Sequence, residues 1–161
     1  MSKREKVISC VLWLVSAFWI VFIFTNSMQT GTESGQMSGS VTDMINAILG
    51  TIHNSFHVSH YFVRKAAHFG EFALLALLLC FSIRSVTHRN DTNKHNLLWV
   101  FAAFAAAVAV ASVDETIQLF VNGRAGSVVD VLIDSSGAAC ATLIFFFILW
   151  LVNCKKKTNE Q

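Results

Sequence analysis

The chain has 161 residues, 54% of them hydrophobic and only 14% charged, with no proline and a formal net charge of +2 at pH 7. A soluble domain usually carries about a quarter charged residues, so an ordinary water-soluble globule is excluded. The basic run Lys155, Lys156 and Lys157 reads as an orientation signal, not as a nucleic-acid patch.

A helix needs roughly 20 apolar residues to cross a hydrocarbon core of about 30 Å, and four stretches meet that requirement. The first covers about residues 7–25 and follows Lys3, Arg4 and Lys6. A secretory signal has the same charge pattern. This run, however, is longer than an ordinary h-region, rich in Trp and Phe, and ends in "TNSMQ" without a small-x-small cleavage site. It is expected to be a retained span.

From Asn26 to Ser40 the chain is polar and rich in Gly and Ser, as expected of an external loop. Over about residues 41–58, Val41, Met44, Ile45, Ile48, Leu49, Ile52 and Phe56 then recur at three- and four-residue spacing, which gathers them on one helical face. Ser40, Thr42 and Asp43 are start signals. The segment is too short and one-sided to span, so it is expected to lie as an amphipathic helix on the outer membrane surface; a soluble cap on the bundle is the alternative. If this helix is continuous, His53, His57 and His60 share a face. Zinc binding, a pH-sensitive surface contact and a plain solvated face are all open readings there.

The second span covers about residues 63–84, the third 97–118 and the fourth 129–152. The runs "FAAFAAAVAVAS" and "SSGAACA" allow close helix approach in lipid. Trp13, Trp19, Trp99 and Trp150 fall in or near span ends, where interfacial anchoring is usual. Cys10, Cys80, Cys140 and Cys154 avoid the outer loops, so no disulfide framework is expected. Lys3, Arg4 and Lys6, then Arg84, Arg89 and Lys94, then Lys155, Lys156 and Lys157 flank the spans on one side. By the positive-inside rule both termini are cytoplasmic. The expected fold is therefore all-α: a four-span antiparallel transmembrane helix bundle with an extracytoplasmic interfacial helix between spans 1 and 2.

The informative residues lie where three spans open on the outer side. At about 100° per residue, Arg64, His68 and Glu71 fall within roughly 60° of one another, with Lys65 to the side. Span 3 ends in "SVDETIQLF", where Asp114, Glu115 and Gln118 are three and four apart. Span 4 opens with "GRAGSVVDVLIDSSGAACA", which puts Arg124 in the turn and Asp130, Asp134, Gly137 and Ala141 on one stripe. Five carboxylates thus stand against the fixed cations Arg64, Lys65 and Arg124, with His68 as a further possible charge. Ionisable groups in membranes are costly and face a bundle interior or wet cavity, so these side chains are expected to converge. Mutual salt bridges, protonated acids and a bound cation are three ways to balance them. For a metal, His68 and Glu71 form one His-x-x-Glu pair, whereas di-metal bundles carry such pairs on two helices. No metal set and no cofactor is assigned.

The segments "RKAAHFGEF", "DETIQLF" and "GRAGSVVDVLID", with Gly137 and the loop "FTNSMQTGTESGQMSGSV", resemble the VanZ-like family of bacterial membrane proteins over nearly the whole chain. The resemblance implies a bacterial cell-membrane location and a link to low-level teicoplanin resistance. Its polar motif residues would be Arg64, Lys65, His68, Glu71, Asp114, Glu115, Gln118, Arg124 and Asp130. Two positions depart: Asn122-Gly123 precedes Arg124 where proline and glycine are frequent, and Asp134 stands where asparagine is common.

Two functions follow as expectations. In the first, Arg64, Lys65, Glu115, Gln118, Arg124, Asp130 and Asp134 bind a membrane lipid, a lipid-linked cell-wall precursor or the lipoglycopeptide antibiotic itself, with the cations taking phosphate or carboxylate. In the second, the protein is an intramembrane enzyme acting on a lipid headgroup or lipid-linked precursor. His68 is then the acid or base, oriented by Glu71 or Asp114.

Overall fold

In lipid each backbone N–H and C=O must find a partner within its own segment, which favours helices. The computed structural model describes residues 2–52, 57–87 and 93–159, and its regular structure is all helix. The five helices are α1 (Lys3–Ser27), α2 (Gly31–Ile52), α3 (His60–Val86), α4 (Asn93–Gln118) and α5 (Val128–Asn159). Lys3–Ser27, His60–Val86, Asn96–Gln118 and Val128–Lys155 are long and apolar enough to cross a membrane. His53, Phe56 and Arg89 lie outside the described residues.

Helix α3 is the hub, packing on α1, α2, α4 and α5. Its buried positions Phe72, Leu75, Ala76, Leu79, Cys80 and Ser82 follow the three- and four-residue period of one face. Helix α1 meets it through small polar residues: Ser85 Oγ donates to Ser9 Oγ at 2.9 Å, and the Ser16 and Ser82 hydroxyls are 2.9 Å apart. Helix α4 brings Ala103, Ala107 and Ala111 inward, each fully buried. These residues have no bulk to hold the helices apart, so α4 closes on the core. On α5, a Cβ placed at Gly137 would collide with the carbonyl oxygen of Phe69. Only glycine permits that approach of α5 to α3.

The larger apolar side chains on the outer faces, including Leu14, Phe18, Leu98, Phe101, Leu132 and Leu143, are exposed. In water such a surface would aggregate; against acyl chains it is the expected outer wall. Two of the tryptophans make their hydrogen bonds inside the protein. Trp19 Nε1 donates to the Glu71 carbonyl at 3.0 Å. Trp99 is buried, with its Nε1 donating to Asn96 Oδ1 and its ring edge-on to Phe145. The Trp19 indole ties α1 to α3 through its N–H, whereas Trp99 bonds within α4 and meets α5 through its ring.

The segment before residue 41 corrects the reading of a polar loop: α2 starts at Gly31. Its start is a capping box at Thr30. Thr30 N donates to Glu33 Oε2 at 2.9 Å, and Glu33 N donates to Thr30 Oγ1 at 3.3 Å. Thr42 is buried, while Met37, Val41, Met44 and Ile48 form an exposed apolar stripe. Helix α2 ends at Ile52 and α3 opens at His60 under a Ser59 cap, with Asn46 bonded to both backbone groups of Val58 between them. His57 therefore lies outside both helices. The continuous helix that would align the three histidines is not formed.

Candidate functional site

The ends of α1, α3, α4 and α5 that lie away from the Ser9–Ser85 contact carry the polar residues. Each helix delivers its side chains by its own period. On α3, residues 64, 68 and 71 share a face and Lys65 turns off it, toward α5. There Lys65 Nζ forms a salt bridge with Asp130 Oδ1, the two side chains being 13% and 19% exposed. The same ammonium lies 5.2 Å from the centre of the Tyr61 ring. Lys65 is thus a clamp between α3 and α5.

The turn between α4 and α5 is built just as tightly. Arg124 N donates to the Val121 carbonyl at 3.1 Å, and Gly123 has φ +75°. A positive φ at the third residue is what a type II turn requires, and its second position suits proline. Asn122 occupies that second position, so the Asn-Gly pair makes a turn that Pro-Gly would also make. Gly31 N donates to the Asn122 carbonyl at 3.0 Å, and a Cβ on Gly31 would overlap the Gly123 carbonyl. The turn and the start of α2 therefore lie backbone on backbone.

This turn aims Arg124 at the end of α1. Its Nε donates to the Gln29 carbonyl and its Nη2 to the Asn26 carbonyl, both at 3.0 Å. These are carbonyls left over where α1 runs out. Burial, then the neighbouring Arg64 guanidinium, pushes the Arg124 pKa below the ordinary arginine value, while Asp114, Glu115 and Glu71 oppose that shift. Arg124 remains a cation, but one that is partly desolvated and repelled by another.

Helix α4 contributes Asp114, Glu115 and Gln118, all buried. Gln118 Nε2 bridges the two acids, 3.0 Å from Asp114 Oδ2 and 3.3 Å from Glu115 Oε1, and reaches Ser27 Oγ at 3.4 Å. Glu115 Oε2 accepts from Ser127 N at 2.8 Å. That bond ties α4 to the first turn of α5, and a Cβ on the intervening Gly126 would strike the Glu115 carbonyl.

The remaining ionisable groups are less completely satisfied. His68 Nδ1 is 3.9 Å from both Glu71 Oε2 and Asp134 Oδ1, too far for a hydrogen bond. Asp134 is 1% exposed, and neither of its carboxylate oxygens has a hydrogen-bond partner. The Ser27 hydroxyl lies near the Asp114 carboxylate, and Asp114 Oδ1 has no hydrogen-bond partner.

One face of this layer opens on a cavity of about 150 Å³. Arg64, His68, Glu71 and Arg124 form its charged side; Met37, Val41, Val63 and Ala67 form an apolar wall. Asn26, Ser27, Gln29, Ser34 and Ser38 complete the lining. Of the residues singled out in the sequence, four meet in this cavity. Lys65 and Asp130 pair beside it, and Asp114, Glu115, Gln118 and Asp134 lie in the adjoining interior. The serines of α2 were missed because their stretch reads as a loop. Ser34, Ser38 and Thr42 at four-residue spacing, behind the Thr30–Glu33 box, are the signal that identifies a helical polar face.

Four long apolar helices with a buried acidic and basic layer at one end are what a multi-pass membrane protein with an intramembrane polar site requires. Comparison with family models makes the class specific. The chain belongs to the VanZ/LLP1 family, whose model matches residues 12–150. No curated protein and no solved structure matches it.

Proposed function

We propose that this VanZ-like protein lies in a bacterial cell membrane as an antiparallel four-span bundle with both termini cytoplasmic. Helix α2 rests on the outer surface with the Met37, Val41, Met44 and Ile48 stripe toward the acyl chains. The cavity then faces the outer leaflet and holds the anionic headgroup of a membrane lipid or lipid-linked cell-wall precursor. Lower susceptibility to teicoplanin follows from what the drug meets there. The carrying observation is that Arg64 and Arg124 line the same small cavity as an apolar wall. Arg64 makes no hydrogen bond or ion pair among the described residues, and the two guanidiniums repel each other. A phosphate between them would relieve that repulsion through charge-assisted hydrogen bonds, and the apolar wall suits the first carbons of a lipid chain.

Size supports a headgroup over the drug itself. Drug-sized ligands occupy pockets of roughly 300–1,000 Å³, whereas about 150 Å³ admits a group nearer benzene in size. Native mass spectrometry of gently extracted protein tests the proposal. A retained anionic lipid or precursor, lost in Arg64→Ala while the protein stays folded, is the expected result. No retained lipid, together with undiminished teicoplanin protection by Arg64→Ala, rejects the reading. A lipid that returns with a changed mass instead moves the protein to the enzyme class, with His68 as the acid or base at the cavity wall.

A further inference from the structure

We infer that His68, Asp114 and Asp134 form a binding site for one divalent transition-metal ion of the Zn2+ or Mn2+ kind. The three residues come from α3, α4 and α5, and one ligand atom from each lies within 4.8 Å of the other two. Zinc bonds to imidazole nitrogen and carboxylate oxygen run about 2.0–2.2 Å in a tetrahedral arrangement, so two ligands of one ion stand roughly 3.3–3.6 Å apart. The widest pair must therefore close by up to about 1.2–1.5 Å, which rotation of the His68, Asp114 and Asp134 side chains supplies.

Geometry alone would be a weak case for a cluster of this type. The stronger observation is the hydrogen-bond state of its atoms. Asp134 and Asp114 are 1% and 0% exposed, yet both oxygens of Asp134, Oδ1 of Asp114 and Nδ1 of His68 have no hydrogen-bond partner. Buried polar atoms are paired in the great majority of cases, and one explanation for an orphan is an ion at the site. Here four orphaned atoms belong to three residues that surround one point.

Two of the three fixed cations nearby are committed elsewhere, and the third faces the cavity. Lys65 pairs with Asp130, Arg124 donates to the carbonyls of Asn26 and Gln29, and Arg64 lines the cavity. Gln118 already divides its amide between Asp114 and Glu115, and Glu115 also takes the Ser127 amide. Among the described residues no lysine or arginine pairs with Asp134; its one neighbour within ion-pair range is His68 Nδ1, at 3.9 Å. One imidazole with two carboxylates suits a borderline ion better than Ca2+ or Mg2+, which prefer oxygen throughout. Glu71 Oε2, at 3.9 Å from His68 Nδ1 and on the cavity wall, lies where an additional ligand would come from. His68 belongs to both the cluster and the cavity, so the ion would present its free position to a bound phosphate. That last step rests on the headgroup reading; the metal site does not.

The test uses the full chain in detergent, stripped with chelator and titrated with Zn2+ and, separately, Mn2+ without added lipid. One ion per chain should remain after gel filtration, and the thermal midpoint should rise with added metal. Asp134→Asn keeps the shape of the side chain and should weaken binding beyond the roughly 10- to 100-fold that loss of an outer-shell partner causes. Asp43→Asn, at an exposed position of α2, should leave binding unchanged. Sub-stoichiometric metal in the wild-type protein, or wild-type affinity in Asp134→Asn, overturns the site. Retained lipid without metal rejects the ion while leaving the headgroup reading intact. Metal without retained lipid does the reverse.

Discussion

Replacing Gly137 by alanine probes the contact on which the polar layer depends. In the middle of a helix the change should help, since glycine is less favourable than alanine by about 0.8–1.0 kcal/mol. At position 137 the added methyl group meets the Phe69 backbone, with its carbonyl oxygen overlapped, its carbonyl carbon at 3.0 Å and its Cα at 3.2 Å. A backbone atom cannot turn away as a side chain can, so α3 and α5 must separate. Overpacking of this kind costs typically 1–3 kcal/mol, and subtraction of the propensity gain leaves a net loss of about 0–2 kcal/mol. Gly70 is the internal control. It lies on α3 one residue from Phe69, and a Cβ there meets nothing within 4 Å. Gly70→Ala should therefore stabilise by up to about 1 kcal/mol. Thermal unfolding of both variants in detergent measures the difference, and Gly137→Ala should lie below Gly70→Ala by about 1–3 kcal/mol. Equal stabilisation by the two substitutions would show that α3 and α5 do not approach as described. The Lys65–Asp130 pair and the His68–Asp134 approach cross the same interface, so they would be placed wrongly as well.

Removing Lys65 should be worse than removing both members of its pair. Lys65→Met leaves Asp130 uncompensated; loss of one partner from a buried pair costs about 3–5 kcal/mol, and the residual exposure here reduces this to roughly 1–3 kcal/mol. Adding Asp130→Asn should recover most of the loss in the same unfolding assay, and simple additivity would deny the coupling. Arg64→Ala should weaken binding of an anionic headgroup at least about tenfold, or ~1.4 kcal/mol, with little effect on the fold. Arg124→Ala should do both, because two charged hydrogen bonds to the end of α1, each worth about 1.5–3 kcal/mol, disappear with it. Equal thermal midpoints for the two arginine variants would remove the structural role given to Arg124. The Glu33 pKa is held below its ordinary 4.5 chiefly by the hydrogen bond from the Thr30 backbone. A lowered pKa means that this contribution is present above 4.5 and fades as pH falls through the folded value. Protection of the first-turn amides of α2, taken relative to their intrinsic exchange rates, should accordingly fall on acidification through that range, and a Glu33→Gln variant should lose the dependence.

The four membrane-crossing stretches were legible because the bilayer imposes a single length on every span, and nothing in the sequence competes with an uninterrupted apolar run. The ionisable layer was legible for the complementary reason: charges within such runs are rare, so each is conspicuous. Helix rotation was not legible. Period alone sets Lys65 to the side of Arg64, His68 and Glu71, but that its partner there is Asp130 follows from the α3–α5 contact through Gly137. The start of α2 was hidden by composition, since Gly31, Gly35 and Gly39 imitate a loop while the deciding signal is the reciprocal bonding of Thr30 and Glu33. Trp19 and Trp99 show the same limit. Their positions near span ends fit either lipid or a neighbouring helix, and only the Glu71 carbonyl for Trp19 and the Phe145 ring for Trp99 distinguish them.

The division of labour within the layer argues that it is more than a set of ties between helices. Lys65 with Asp130 joins α3 to α5, Glu115 with Ser127 joins α4 to α5, and Arg124 joins the last turn to α1. Those links already close the end of the four spans. A scaffold needs nothing further there, and alanine or leucine at positions 68, 114 and 134 would pack in lipid without any desolvation cost. The chain instead places a histidine and two aspartates at these positions, with four of their atoms unpaired, against a cavity that two arginines line from the other side. The unpaired carboxylate atoms inside and the two guanidiniums on the cavity, with Glu71 between them on its wall, form a polarised site, one side suited to a cation and the other to an anion. A ligand carrying both, such as a metal-bound phosphate, satisfies the two faces together, whereas any change that merely reinforces the ties between helices satisfies neither.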